Sequence, residues 1–310
     1  MGRGDLSDAE WERLLPFLPV SNRRCGRWRD HRQVIDGMLY RVRTGVQWRD
    51  LPERFGPWKT VYERHRPWSA DGTWERLLQQ VQAAADAVGE VGWDISVDST
   101  IVRAHQHAAG APHRSATGPG VKRGRTARTP ARIRVAEPAR PSGGGGAGGE
   151  GLGRSRGGFT SKIHLRADGR CRPLSLIVTP GPRADCTQFK LVLEKIRVPK
   201  RGPGRPRKKP DSLAADRAYS NGPCREYLRR RGIRHTIPEK TDSQAARLRK
   251  GSRGGRPPAF DEERYKKRNT IERAINRLKQ YRAVATRYDK RGYVFLGTAT
   301  AASLVIRLRT

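Results

Sequence analysis

The chain has 310 residues, of which 35% are apolar and 31% charged, enough to bury a core in about two domains. Lysine and arginine number 65 against 30 aspartate and glutamate, a net charge of +35, and so large an excess makes a polyanion, nucleic acid first, the expected partner. No apolar run approaches the ~20 residues of a membrane span, and four cysteines (Cys25, Cys171, Cys186, Cys224) without C-x-x-C spacing argue for free thiols rather than a zinc ribbon or disulfide framework.

The opening "MGRGDLSDAEWERLL" carries acids where a secretory signal needs a basic start and an apolar middle. The expected location is therefore the cytoplasm, at the nucleoid. Ser7 and Glu10 fit a capping box for a helix over 8–17. Val34, Ile35, Met38, Leu39 and Val42 recur at helical spacing and stop at Gly45. Gly56-Pro57 opens a third helix, with Trp58, Val61, Tyr62 and His65 on one face and Lys59, Arg64 and Arg66 elsewhere; a fourth covers 73–88. Residues 1–90 thus read as a small all-α, helix-turn-helix-like domain, with Lys59 and Arg64 as candidate DNA contacts. A helical bundle with merely solvated basic residues is the plainer reading of the same pattern.

From Trp93 the pattern turns to short β-like runs: "WDISVDST", "FTSKIHLRAD", "PLSLIVTP", "SLAADRAYS" and "IRHTIPEK". A helix begins near Asp261, a good N-cap, and an apolar helix closes the chain over 295–306. Strands and helices in this order predict a mixed α/β domain over 91–310. Within it, 109–158 holds ten Arg or Lys against two Glu and is rich in Gly, Ala and Pro. Such a composition predicts a disordered basic loop that brushes DNA without reading its sequence. Two further basic loops, at 199–210 and 251–260, contain Gly-Arg-Pro. His105, His107 and His113 lack a second ligand pair, so zinc is not expected. Arg154 and Arg156 precede a strand as candidate phosphate contacts, and Lys162 and His164 alternate along that strand at the border of a site.

Two aspartates close strands: Asp98 ends "DISVD" and Asp216 ends "SLAAD". Glu272 lies in "YKKRNTIERAINRLKQ", where one continuous helix at ~100° per residue would place Tyr265, Arg268, Glu272 and Lys279 within an arc of roughly 60°. An ordinary surface ion pair explains Arg268 and Glu272 alone. Three carboxylates from three elements instead supply hard oxygen ligands suited to Mg²⁺ or Mn²⁺. Two such ions about 3.5–4 Å apart activate a water or sugar hydroxyl against a phosphodiester.

Tyr265, Arg268, Glu272 and Lys279, with two, three and six residues between successive members, resemble the Tyr-Arg-Glu-Lys signature of bacterial insertion-sequence DDE transposases. The strings "VDSTIVRAHQHAAGA", "LGRSRGGFTSKIHL", "ADRAYS" and "RNTIERAINRLKQYRAVATRYDK" are similar to blocks of that family. The resemblance implies an RNase H-like mixed sheet flanked by helices, and a metal-binding triad of Asp98, Asp216 and Glu272. It also implies that Tyr265, Arg268 and Lys279 position DNA, and that a homodimer joins the element's terminal inverted repeats to target DNA. The stretch 115–150 is longer and richer in Gly, Arg and Pro than the family leads one to expect. A DNA-binding copy or repressor without catalysis, and an RNase H-like nuclease without strand transfer, are the alternatives.

Overall fold

The computed structural model describes residues 5–20, 29–109 and 150–309. Helix α1 (Asp8–Leu14) starts on the predicted capping box: the Glu10 amide donates to the Ser7 hydroxyl at 3.3 Å, and the Ser7 amide donates to the Glu10 carboxylate at 2.8 Å. Pro16 cannot supply the helical amide, and Leu15–Phe17 form a 3-10 turn instead. Helix α2 (His31–Thr44) ends at Gly45, whose φ of 73° is the left-handed cap that glycine adopts without Cβ strain. After 3-10 turns at Trp48–Asp50 and Glu53–Phe55 come α3 (Trp58–Ala70) and α4 (Thr73–Ala87).

Strand β1 (Asp94–Ala104) begins the sheet and leads into the single turn of α5 (Gln106–Ala109). Then follow β2 (Gly153–Ser155), β3 (Gly158–Ala167), β4 (Pro173–Pro180), α6 (Asp185–Glu194), β5 (Ser212–Ala215), α7 (Gly222–Arg230), β6 (Arg234–Thr236) and α8 (Thr241–Arg249). The chain closes with α9 (Glu262–Lys266), α10 (Asn269–Lys279), α11 (Arg282–Ala285), β7 (Thr286–Arg287) and α12 (Gly292–Leu308). Strand β1 is central: β3 lies antiparallel on one side, and β5, with β7 farther along, lies parallel on the other. Strand β4 pairs with β3 antiparallel and β6 with β5 parallel, the mixed RNase H-like order.

Two apolar clusters cover the two faces. One runs from Leu6, Val34, Phe55 and Trp74 through Phe295 and Leu304 to Ile271, Val102 and Ile163. Helix α12 is apolar almost all round because it packs on α2, α3, α4 and β4 together. The N-terminal helices and the sheet therefore share a core, in which each fully buried large side chain contributes about 1.5–3 kcal/mol. The other cluster joins Ile95, Val97, Leu213 and Ala215 to Phe189, Leu193, Tyr219 and Leu228 of the α6–α7 layer.

Three differences from the sequence reading bear on function. The β2–β3 hairpin occupies the last part of the span expected to be a loop; residues 110–149 of that span lie outside the described ones. The predicted continuous helix through 265–280 is two helices. At Lys267 and Arg268 the ladder tightens to i→i−3 bonds (Thr270 amide to the Lys267 carbonyl, 3.1 Å; Ile271 amide to the Arg268 carbonyl, 3.0 Å), so Tyr265 does not stand in one helical row with Glu272. Finally, α8 appears where periodicity announces no helix, and it buries none of its residues.

Candidate active site

Val97 of β1 is paired with Ala215 of β5 in parallel register, so the next residues, Asp98 and Asp216, leave that pairing side by side. Asp216 follows the end of its strand as expected, whereas Asp98 does not close β1, which runs on against β3 to Ala104. Asp216 caps a 3-10 turn, its Oδ1 accepting from the Ala218 amide at 2.9 Å. The Asp98 Oδ1 accepts from the Ser99 amide at 2.7 Å. Burial pushes the Asp98 carboxyl up, and the charges of Asp216 and Asp185 push it the same way. The Ser99 amide and Arg268 pull it down.

The third predicted acid arrives on α10. Ile271, Ala274, Ile275 and Leu278 bury one face of that helix. Polar bonds pin it to β1 near both ends: Thr270 Oγ1 donates to Ser96 Oγ (3.2 Å), and Lys279 Nζ donates to the Ile101 carbonyl (3.3 Å). Arg268, just before α10, spans the gap between the acids. Its Nη2 lies 2.6 Å from Glu272 Oε1 and its Nη1 lies 3.4 Å from Asp98 Oδ2. Tyr265 joins from α9, its ring centroid 5.7 Å from the Arg268 guanidinium and 5.2 Å from the Phe260 ring.

Asp98 and Asp216 are thus neighbours, whereas Glu272 meets Asp98 through a guanidinium. Among the described residues no three His, Cys, Asp or Glu side chains are grouped tightly enough to hold one metal ion. Arg268, expected to face DNA beside the site, lies inside it, and Lys279 spends one donor on the backbone of β1.

The remaining predicted contacts lie elsewhere. Arg154 and Arg156 are exposed on the β2–β3 hairpin, and the Arg154 guanidinium sits 5.7 Å from the Phe159 ring centroid. Lys59 is exposed on α3, while Arg64 is partly buried with Nη1 3.4 Å from His31 Nδ1. His105 stacks on Tyr288 at 4.6 Å and meets His107 edge-on at 4.4 Å; His113 and Cys25 lie outside the described residues. Cys171, Cys186 and Cys224 are free thiols, as expected.

Asp185 and Tyr219 belong to the same neighbourhood, and the sequence reading did not single them out. Ser99 pairs with His164 and Ile101 with Lys162, so these side chains share the face of the sheet that meets the first turn of α6. There Asp185 Oδ1 accepts from Ser99 Oγ at 2.7 Å and from Lys162 Nζ at 3.0 Å. Burial lowers the His164 pKa to about 4, leaving the ring neutral, with Nε2 2.9 Å from Thr179 Oγ1. Tyr219 is buried with no hydrogen-bond partner for its hydroxyl among the described residues. Burial raises its phenol, and Asp185, Asp98 and Asp216 add to the shift. The only sequence signal was a lone Ala-Asp ahead of an apolar run.

Residues 91–302 match the family described as "Transposase DDE domain", and residues 6–78 match "Putative transposase of IS4/5 family". The chain belongs to the DDE transposases. It is 40% identical over 107 residues to "Uncharacterized protein y4sN" of Sinorhizobium fredii, covering 34% of this chain and 82% of that one. It is 32% identical over 112 residues to "Insertion element IS402 uncharacterized 16.2 kDa protein" of Burkholderia cepacia, covering 34% and 76%. A third relative, "Putative transposase for insertion sequence element IS6501" of Brucella ovis, is 29% identical over 151 residues, 49% of this chain and 100% of the relative. No solved structure matches the chain. In this transposase, among the described residues, no helix is long and apolar enough to cross a membrane.

The donor chemistry around Asp98 fits a divalent cation. Asp98, within β1, and Asp216, just past the end of β5, carry hard carboxylate oxygens of the kind such a cation takes. Burial, with the like charges of Asp216 and Asp185, already holds the Asp98 carboxyl above its ordinary range. A cation placed there relieves the repulsion that Arg268 offsets in part.

Proposed function

We propose that this transposase binds the terminal inverted repeats of its insertion sequence as a dimer in the cytoplasm, cuts the element ends, and joins them to target DNA. The reading rests chiefly on one observation: Asp98, within β1, and Asp216, just past the end of β5, stand side by side where the parallel pairing of the two strands stops, with the helix of Glu272 packed across β1. Asp98 and Asp216 would hold Mg²⁺ or Mn²⁺, with Glu272 completing the set once Arg268 releases it. Two bound ions supply activation of the attacking oxygen and charge neutralisation at the leaving oxygen.

The chain's own residues do the rest. Arg268, freed from the carboxylates, offers a planar pair of donors to a phosphate beside the scissile bond. Tyr265 packs against that guanidinium and limits its sweep. Lys279, Arg154, Arg156, Lys59 and Arg64 contact phosphates farther along the duplex, which fixes register without reading sequence. Water adds to phosphorus, the bond to the 3′ oxygen breaks, and the water's proton balances the new 3′-hydroxyl. That hydroxyl then attacks a target phosphodiester, and the displaced target 3′ oxygen takes up the proton.

The test is an assay on DNA carrying the element ends, with and without Mg²⁺. The wild type yields nicked and joined products. Asp98→Ala, Asp216→Ala and Glu272→Ala each lose both while retaining end binding. Cutting that survives any of the three overturns the assignment, and cutting without joined products favours a simple nuclease.

A further inference from the structure

We infer that Asp185 and Ser99 form a positioning relay for Asp98, with Lys162 as the counter-charge that lets a fourth carboxylate sit there. This deepens the proposed function and rests on reading Asp98 as a metal ligand. Ser99 is held at both ends. Its hydroxyl donates to Asp185 Oδ1 at 2.7 Å, and its amide donates to Asp98 Oδ1 at 2.7 Å. Fixing the hydroxyl fixes the peptide that aims the Asp98 carboxylate. Lys162 Nζ donates to the same Asp185 oxygen at 3.0 Å and to the Arg183 carbonyl at 2.8 Å, with its side chain only 11% exposed.

The His164 ring completes the enclosure. It is 1% exposed and its Nδ1 lies 3.7 Å from Asp185 Oδ1, with no hydrogen-bond partner among the described residues. One carboxylate oxygen of Asp185 thus gathers a hydroxyl and an ammonium against a buried imidazole. Rotation of that carboxylate would leave the Lys162 ammonium with the Arg183 carbonyl and no counter-charge, so the geometry is held from the α6 side.

Helix α6 is already anchored by buried Phe189, Val192 and Leu193, so the fold does not hang on the Ser99–Asp185 bond. A group that orients a metal ligand typically changes metal affinity by about 10–100-fold when removed. A metal titration reads that loss directly, while melting curves report the fold separately.

The experiment titrates Mn²⁺ into full-length protein by calorimetry, without DNA. Ser99→Ala is expected to weaken binding roughly 10-fold, and Ser99→Thr, which keeps a hydroxyl, restores it to within about threefold of the wild type. Asp185→Ala gives a similar loss, and the Ser99→Ala/Asp185→Ala double variant is no worse than either single, because both cut the same link. Melting curves confirm that each variant is folded. Wild-type affinity in Ser99→Ala, no rescue by Ser99→Thr, or losses that add in the double variant overturn the relay and leave the metal reading standing. A wild type that binds no Mn²⁺, or an Asp98→Ala protein that binds it as the wild type does, overturns the metal reading and the relay with it.

Discussion

The guanidinium of Arg268 lies 3.4 Å from Asp98, a residue 170 positions earlier, while its other nitrogen holds Glu272 at 2.6 Å. A protein cation thus occupies the place where carboxylates face one another. If a divalent ion binds the same oxygens, the two cations compete, and the arginine lowers the apparent metal affinity. Arg268→Met is therefore predicted to show a larger rise in melting temperature on adding Mg²⁺ than the wild type shows. A ligand at 100 times its dissociation constant adds about 2.7 kcal/mol, so removing a competitor is visible in a thermal scan. Equal Mg²⁺-induced shifts in the two proteins would mean that the arginine and the ion do not share ligands.

What could be read in the sequence was what is local. Asp98 and Asp216 stand out as acids after apolar runs, and Glu272 through the likeness of Tyr265, Arg268, Glu272 and Lys279 to a family signature. The α12 run of apolar residues reads as a buried helix, and it is the shared core of both halves. Asp185 was not legible, because its importance depends on the β1–β3 register that carries Ser99 and Lys162 to the start of α6. The break between α9 and α10 was hidden for another reason. Tyr-Lys-Lys-Arg-Asn contains no glycine or proline, so periodicity runs straight through a turn where Arg268 bonds across to Asp98. The β2–β3 hairpin was hidden by composition, since its Gly and Arg match the composition of residues 109–149 before it.

Arg154 and Arg156 sit exposed on that hairpin, with no ion pair to any described acid. If they rest on DNA, they do so through phosphates, each worth about 0.9 in the slope of log affinity against log salt concentration. Replacing both by alanine is predicted to lower the slope by about 2 and to weaken binding to all duplexes alike. Fluorescence anisotropy over a salt series measures both quantities. An unchanged slope would take the hairpin off the DNA.

Helices α3 and α12 meet at Gly297. A Cβ placed there would lie 2.5 Å from Ser69 Cβ and 3.1 Å from its Cα, closer than packed carbons tolerate. Gly297→Ala must push the helices apart across the shared core, a cost of about 1–3 kcal/mol. Ser69→Gly in the same chain removes the Cβ and recovers part of the loss, less the ~1 kcal/mol cost of glycine within a helix. Urea unfolding of the two singles and the double separates these contributions. A Gly297→Ala protein as stable as the wild type would mean that the contact relaxes freely.

His65 supplies a pH test of the core between the N-terminal helices and α12. Trp74 Nε1–H donates to its Nδ1 at 3.2 Å, so that nitrogen is bare, and Nε2 faces Thr298 Oγ1 at 3.3 Å. Burial lowers the His65 pKa from 6.5 to about 4; Asp289 opposes the shift and Arg41 adds to it. Between those two values the unfolded chain takes up a proton that the folded chain refuses, so stability rises with pH. The stabilisation is complete above pH 6.5 and is lost as pH falls towards 4, about 3 kcal/mol in all at ~1.4 kcal/mol per unit. His65→Gln keeps a polar side chain that does not titrate. It is predicted to be less stable than the wild type at pH 7 and to lose less between pH 7 and pH 5, measured as urea midpoints. A variant whose midpoint falls as steeply as the wild type's would place the acid sensitivity on other groups.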